Sequence, residues 1–203
     1  MTNILPYIVL GLLLVTSVGL LLSRDWRWSL GLLAAQYLCM FYLVTLHWPF
    51  SLASVKLVTG WMASATIGVT RLGMSENEAE QEESSWPRGR LFRLFAAAIV
   101  IVMVIAATPK VETLIPGISL PVIAGGLTLA GMGILHLGLT AEPLRITLGL
   151  LTMLAGFEIL YATVETSILL AGLLSIVNLG LALVGAYLMT AAPEEEPEED
   201  ILT

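Results

Sequence analysis

Leu144-Arg-Ile-Thr-Leu-Gly-Leu-Leu-Thr-Met-Leu-Ala-Gly-Phe-Glu158-Ile-Leu-Tyr161 is the stretch whose reading decides the fold. It belongs to an apolar run of about twenty residues, the length of helix that crosses the hydrocarbon core of a bilayer. One carboxylate, Glu158, stands near its far end. An ionisable group in that setting costs at least about 2.5–3.5 kcal/mol, so it is rarely present without a partner or a use.

The rest of the chain repeats the pattern. Hydrophobic residues make up 57% and charged residues 12%, about half the charged share of an ordinary soluble domain, and the mean hydropathy is +0.90. Seven apolar runs are predicted to span, at 4–22, 28–48, 51–72, 92–108, 119–139, 144–164 and 167–190. None alternates in polarity over the ten or so residues of a barrel strand, so the expected class is all-α, a polytopic integral membrane protein with its seven helices in one bundle. The first run lacks a basic leader and is too long for a signal-peptide core, so it reads as a retained span.

The third run is the weakest by hydropathy, because it holds Lys56 with Ser54, Thr59, Ser64, Thr66 and Thr70. Charge decides it. With seven spans, Arg24, Arg27, Arg71, Arg88, Arg90, Arg93 and Arg145 fall on one side and only Lys110 on the other. Without the third span the arginines divide between the two sides. Positive residues concentrate in the cytoplasm, which places the N-terminus outside, the C-terminus inside, and the chain in the inner (cytoplasmic) membrane.

Residues 1–72 then form a three-helix segment, 73–91 an acidic-to-basic cytoplasmic linker, 92–190 a four-helix segment, and 191–203 an acidic, disordered tail. Pro49 and Pro109 are expected to close spans, and Pro116 and Pro121 to bracket the entrance to the fifth. Thr140-Ala-Glu-Pro143 is a helix start, with a hydroxyl able to cap and a proline for the first turn. Gly125, Gly126, Gly131, Gly133 and Gly138 mark the fifth span as one packed among neighbours, since small residues let backbones approach closely in lipid.

Most of the formal charge of −7 lies in the acidic blocks Glu76–Glu83 and Glu194–Asp200. Such blocks stay solvated, and no basic patch exists to neutralise phosphates, which argues against nucleic acid as a partner. One cysteine, Cys39, and two histidines build neither a disulfide framework nor the usual zinc or iron–sulfur site. No glycine-rich loop follows a strand to hold phosphate. No catalytic centre, metal or cofactor is expected in this chain.

Chemistry is therefore sought among polar groups inside the spans. Glu158 lies six residues before Val164 and Lys56 five after Ser51, which puts both about 7–9 Å from the outer ends of their helices. A buried pair of opposite charge would explain both. In a functional reading Glu158 is a proton-carrying carboxylate whose charge the lysine controls. In a structural reading the acid is a static packing group, held by Lys56 or by the Thr163 or Tyr161 side of its own helix, while Lys56 alone has the reach to snorkel to the interface. His136 near the cytoplasmic end of the fifth span is a candidate relay. Gln36 and Asn178 suit interhelical hydrogen bonding. His47, Trp48 and Trp61 read as interface or packing groups, and Trp26 and Trp28 beside Arg24 and Arg27 as an interfacial anchor.

The last three spans resemble a known unit. A glycine-rich helix, a short turn with Arg145, then Leu151-x4-Gly156-Phe157-Glu158-Ile-Leu160, then Asn178-Leu-Gly-Leu-Ala-Leu183, resemble subunit K of bacterial respiratory complex I over residues 119–190. The same unit occurs in the C subunit of Mrp-type sodium/proton antiporters and the E component of multisubunit membrane hydrogenases. The hydrogenase component is the nearer in architecture, and Ala34-Ala-Gln36-Tyr37-Leu38 also looks like its N-terminal part.

The resemblance implies a membrane-arm subunit, partnered by the bilayer and by other membrane subunits, with the proton-carrying carboxylate of the second K-like helix mapped onto Glu158. Subunit K has a second glutamate in its last helix, where this chain has Ser175 to Asn178. The expected function is a non-catalytic subunit of a proton- or sodium-translocating assembly, with Glu158, Lys56, His136, Gln36 and Asn178 as relay groups. The alternative is an accessory or assembly subunit of another bioenergetic complex, with Glu158 and Lys56 as a static clip. A stand-alone secondary transporter fits less well, because paired halves and broken helices are missing from the sequence.

Overall fold

The computed structural model describes residues 4–74, 89–115 and 117–191. The described residues form seven α-helices and no strand: α1 (Leu5–Leu22), α2 (Trp26–Thr45), α3 (Phe50–Gly73), α4 (Arg90–Leu114), α5 (Leu120–Leu139), α6 (Pro143–Val164) and α7 (Ile168–Thr190). All seven are long and apolar enough to cross a bilayer, the weak third run included. This is the architecture of a multi-pass membrane protein. The acidic block at 76–83, Arg88, Pro116 and the tail from 192 onward lie outside the described residues.

Short connections make sequential helices antiparallel neighbours. α1 packs on α2 and α5, α2 on α3 and α6, α5 on α4 and α6, and α7 on α3 and α6. The segments before and after the linker thus interleave. α5 and α6 form the interior, while α4 and α7 carry rows of exposed apolar side chains such as Phe95, Val102, Ile105, Ile176, Leu183 and Tyr187.

The α5–α6 seam is built on glycine. A side chain at Gly133 would meet the Met153 backbone, one at Gly126 the Leu160 side chain, and one at Gly156 the Ala130 and Gly126 backbones. α3 and α7 also pack on each other, and their buried faces carry small residues: Ala53, Gly60 and Ala63 on α3, where Gly60 faces Tyr37 of α2, and Ala171, Ser175, Ala182 and Gly185 on α7, where Gly185 faces Thr147 of α6.

Several local expectations change. α4 does not stop at Pro109 but runs on to Leu114. Proline removes one backbone donor and costs about 3 kcal/mol or more inside a soluble helix. Nearby hydroxyls soften that cost in apolar surroundings. Here Thr108 and Thr113 donate to the carbonyls of Val104 and Lys110 rather than to that of Ile105, which loses its helical donor at Pro109, and beyond the proline Ile115 N–H donates to Val111 O. The second helix ends at Thr45, leaving His47 and Trp48 in the turn. Pro143 is indeed at the start of α6, but the N-cap position is held by Glu142, whose side chain makes no capping bond, and Thr140 Oγ1 accepts the Glu142 N–H at 3.1 Å.

One end of the bundle collects buried arginine. Arg145 pairs through Nε with Glu142 at 2.7 Å and donates to the carbonyls of Ser23 (2.9 Å) and Arg24 (3.1 Å). Arg93 donates to Leu21 O at 3.3 Å. These carbonyls end α1 or follow it, where unsatisfied oxygens and the helix dipole favour cations. Arg27 lies over the Trp26 ring, 5.4 Å from its centroid. Trp48, at the other end, is packed inside and donates to Glu165 O at 2.8 Å.

Candidate functional site: a buried ion pair among four helices

Lys56 belongs to the buried face of α3, which runs Ala53, Lys56, Gly60, Ala63, Ile67 and Arg71 at helical spacing. The same periodicity that packs this helix therefore turns the lysine inward. Glu158 lies on α6 between the buried Ala155 and Ala162. Lys56 Nζ donates to Glu158 Oε1 at 2.7 Å, and each residue is 1% exposed. The lysine does not snorkel. Its stem spans from α3 to α6, and α3 packs chiefly on α2 and α7.

Two further helices complete the surroundings. The Tyr37 ring on α2 covers Gly60, which has no side chain to hold it off. Its hydroxyl donates to Asn178 Oδ1 on α7 at 3.0 Å, with both residues buried. Tyr37 also lies within electrostatic reach of Glu158. Deeper in the bundle Gln36 donates through Nε2 to Ser17 Oγ at 2.9 Å and accepts from Thr152 Oγ1 at 3.2 Å, tying α1, α2 and α6 together. Hydrogen-bonded side chains of this kind hold apolar helices together at about 0.6–2 kcal/mol each.

The other sequence candidates separate. His136 is buried near the arginine end of α5, with its Cβ against Gly149, and stands apart from the ion pair. The Thr163 hydroxyl turns to its own helix, donating to Leu160 O, and so does not hold the acid. Glu165 is exposed and accepts from Thr166 N–H. Among the described residues no three His, Cys, Asp or Glu side chains converge on a common point.

The arrangement leaves specific atoms unsatisfied. Among the described residues Glu158 Oε2, Asn178 Nδ2 and His136 Nε2 are buried with no hydrogen-bond partner. An unmatched polar group away from water costs about 1–3 kcal/mol by mutational measures. The site is thus half-satisfied: one oxygen of the carboxylate is fixed by the lysine and the other is available to a proton, a water or another group. That is what a proton-carrying acid needs.

Sequence reasoning passed over three of these residues. Tyr37 beside Gln36 in mid-span was the available signal, since a phenol buried in apolar surroundings needs a partner. Ser17 and Thr152 gave no such signal, because hydroxyls in apolar helices usually bond back to their own carbonyls. Ser17 does so as well, to Leu13 O at 2.7 Å.

No protein-family model, curated protein or solved structure matches the chain. The reading of the site rests on its geometry.

Proposed function

We propose that the chain is a non-catalytic membrane-arm subunit of a proton- or sodium-translocating assembly of the complex I or membrane-hydrogenase type. It lies in the cytoplasmic membrane with its arginine-rich end inside. Glu158 carries the proton, and Lys56 sets its charge. When the ammonium is close, the carboxylate stays ionised; when it withdraws, the acid takes up a proton, because a lone charge in low dielectric is costly.

One observation carries this reading: a carboxylate 1% exposed, with one oxygen on a lysine at 2.7 Å and the other without a partner. A purely structural ion pair gains by satisfying both oxygens, because an incompletely paired buried charge is destabilising. The resemblance of residues 119–190 to the K-like unit supports the choice of assembly. Ser175 to Asn178 stand where that family has its second acid, so the polar groups of that stretch are neutral.

The test is recovery of the tagged protein in mild detergent, with its companions identified by mass spectrometry. Antiporter-like and redox subunits are expected among them. Recovery with an unrelated complex, or alone, overturns the assignment. The static-clip alternative makes its own prediction: Glu158→Gln impairs assembly and adding Lys56→Met restores it. Under the proposal Glu158→Gln assembles and loses coupled transport.

A further inference from the structure

The cations of this chain differ in kind as well as in place. The six described arginines lie at one end of the bundle, while the two lysines lie elsewhere, Lys56 inside and Lys110 toward the other end. Concentrating positive charge on one side of a membrane is served by lysine and arginine alike. The use of arginine alone therefore needs its own reason. A guanidinium presents a planar fork of donors that fits a phosphate with two parallel bonds, whereas an ammonium acts as a point charge.

Four of these arginines gather round the end of α1. Arg93 donates to Leu21 O, and Arg145 to Ser23 O and Arg24 O. Arg24, Arg90 and Arg145 all lie within electrostatic reach of Arg93. Two acids stand nearby among the described residues. Glu142 is matched to Arg145, and Asp25, the N-cap of α2, accepts the Arg27 N–H at 2.8 Å. Arg27 itself lies over the Trp26 ring. Arg93 and Arg145 are buried, whereas Arg24 and Arg90 are exposed, and among the described residues neither of the exposed pair enters an ion pair. Positive charge is thus left in excess at this corner. Toward the hydrocarbon, α4 is bare: Leu94 and Phe95, about 6–8 Å along the helix from Arg90, are both exposed.

We propose that this corner, at the end of α1 and the starts of α2 and α4, binds one anionic phospholipid from the leaflet at that end. Arg24 and Arg90 hold its phosphate, the buried Arg93 adds charge from behind, and an acyl chain lies along α4 over Leu94 and Phe95. Cationic sites between spanning helices favour anionic headgroups in this way. A zwitterionic lipid fits less well, because its own ammonium is brought to a corner already cationic. Inorganic phosphate shares the headgroup chemistry but has nothing to lay on the apolar flank. The proposal stands apart from the reading of Glu158 and holds whatever assembly the chain joins.

The experiment uses the full chain in a mild neutral detergent, with lipid binding read by native mass spectrometry and stability by thermal unfolding. Dioleoyl phosphatidylglycerol is expected to bind about tenfold or more tightly than phosphatidylcholine with the same chains. Sodium phosphate should leave the unfolding midpoint unchanged. Arg24→Gln and Arg90→Gln should each weaken phosphatidylglycerol binding about fivefold and together abolish the preference. Arg27→Gln with Lys110→Gln removes as much charge and should leave the preference intact. Equal binding of the two lipids overturns the site. So does a preference that survives the paired Arg24→Gln and Arg90→Gln substitutions, or one that falls as far with Arg27→Gln and Lys110→Gln. A midpoint raised as far by phosphate alone overturns the lipid as occupant. Should the paired variant fail to fold, wild type decides the matter with a phosphatidylglycerol that carries a diazirine in its acyl chain. Labelling concentrated on α4 near Leu94 and Phe95 supports the site, and equal labelling of the exposed faces of α4 and α7 overturns it.

Discussion

α6 meets its neighbours in two different ways. Against α5 it closes on glycine, with Gly126, Gly133, Gly149 and Gly156 bringing the two helices into backbone contact. From α3 one long side chain, Lys56, reaches across to it and ends on one oxygen of Glu158. The first contact has a single close-packed arrangement and little freedom. The second depends on charge, since two opposite charges hold it. One helix thus joins a seam closed by backbone contact to one closed by a single buried ion pair.

The comparison breaks most severely at the seam. Gly156→Val and Gly133→Val put a side chain onto the backbone of the facing helix. Overpacked cores lose about 1–3 kcal/mol or more, and with no flexible neighbour to yield, these two should lie at or beyond the upper end. Thermal unfolding in detergent is expected to show a loss at least as large as that of the ion-pair variants, and an unchanged midpoint contradicts the close contact.

Next comes the ion pair. Removing either partner of a buried pair costs about 3–5 kcal/mol. Lys56→Met should cost less than Lys56→Ala, because methionine refills the stem volume and the carboxyl can protonate. Combining Lys56→Met with Glu158→Gln should recover part of the loss. A double-mutant cycle with no coupling would remove the pair from the account.

Tyr37→Phe sharpens the comparison on the ion-pair side. It deletes the bond to Asn178 Oδ1 and keeps the ring over Gly60, so about 1 kcal/mol is expected. A loss above that of Lys56→Met would move the organising contact from the ion pair to the tyrosine.

Smallest is a pH effect at the turn before α3. Burial lowers the pKa of His47, opposed by the Leu43 backbone. A depressed histidine binds fewer protons folded than unfolded, so its contribution is present above the unfolded value and lost as pH falls through the folded one. His47→Gln should remove that acid-side decline, read from unfolding midpoints between neutral and mildly acid pH. An identical pH profile in both proteins contradicts the burial argument.

Much of this frame was legible in the sequence. Span number follows from run length and arginine placement, and the shared depth of Lys56 and Glu158 follows from counting residues to helix ends. What could not be read was azimuth. Counting gives depth along a helix but not which neighbour a side chain faces, so Tyr37–Asn178 and Ser17–Gln36–Thr152 emerged only in three dimensions. Snorkelling for Lys56 was plausible by chain length alone; the packed small-residue face of α3 overrides it. Pro109 misled because a proline removes one donor without necessarily ending a helix, and this one continues to Leu114. Arg93 and Arg145 entered the sequence reading only as charges on the cytoplasmic side; the carbonyls at and beyond the end of α1, and for Arg145 the Glu142 carboxylate, are what meet them in the fold.

The central claim is that Glu158 carries protons, and coupled transport tests it most directly. Membrane vesicles bearing the intact assembly would be compared with those bearing Glu158→Gln, both checked for the same subunit composition. The account predicts full assembly with ion translocation lost, and partial function with Glu158→Asp. Unchanged translocation in Glu158→Gln would contradict it, as would a loss traced to missing subunits and cured by Lys56→Met.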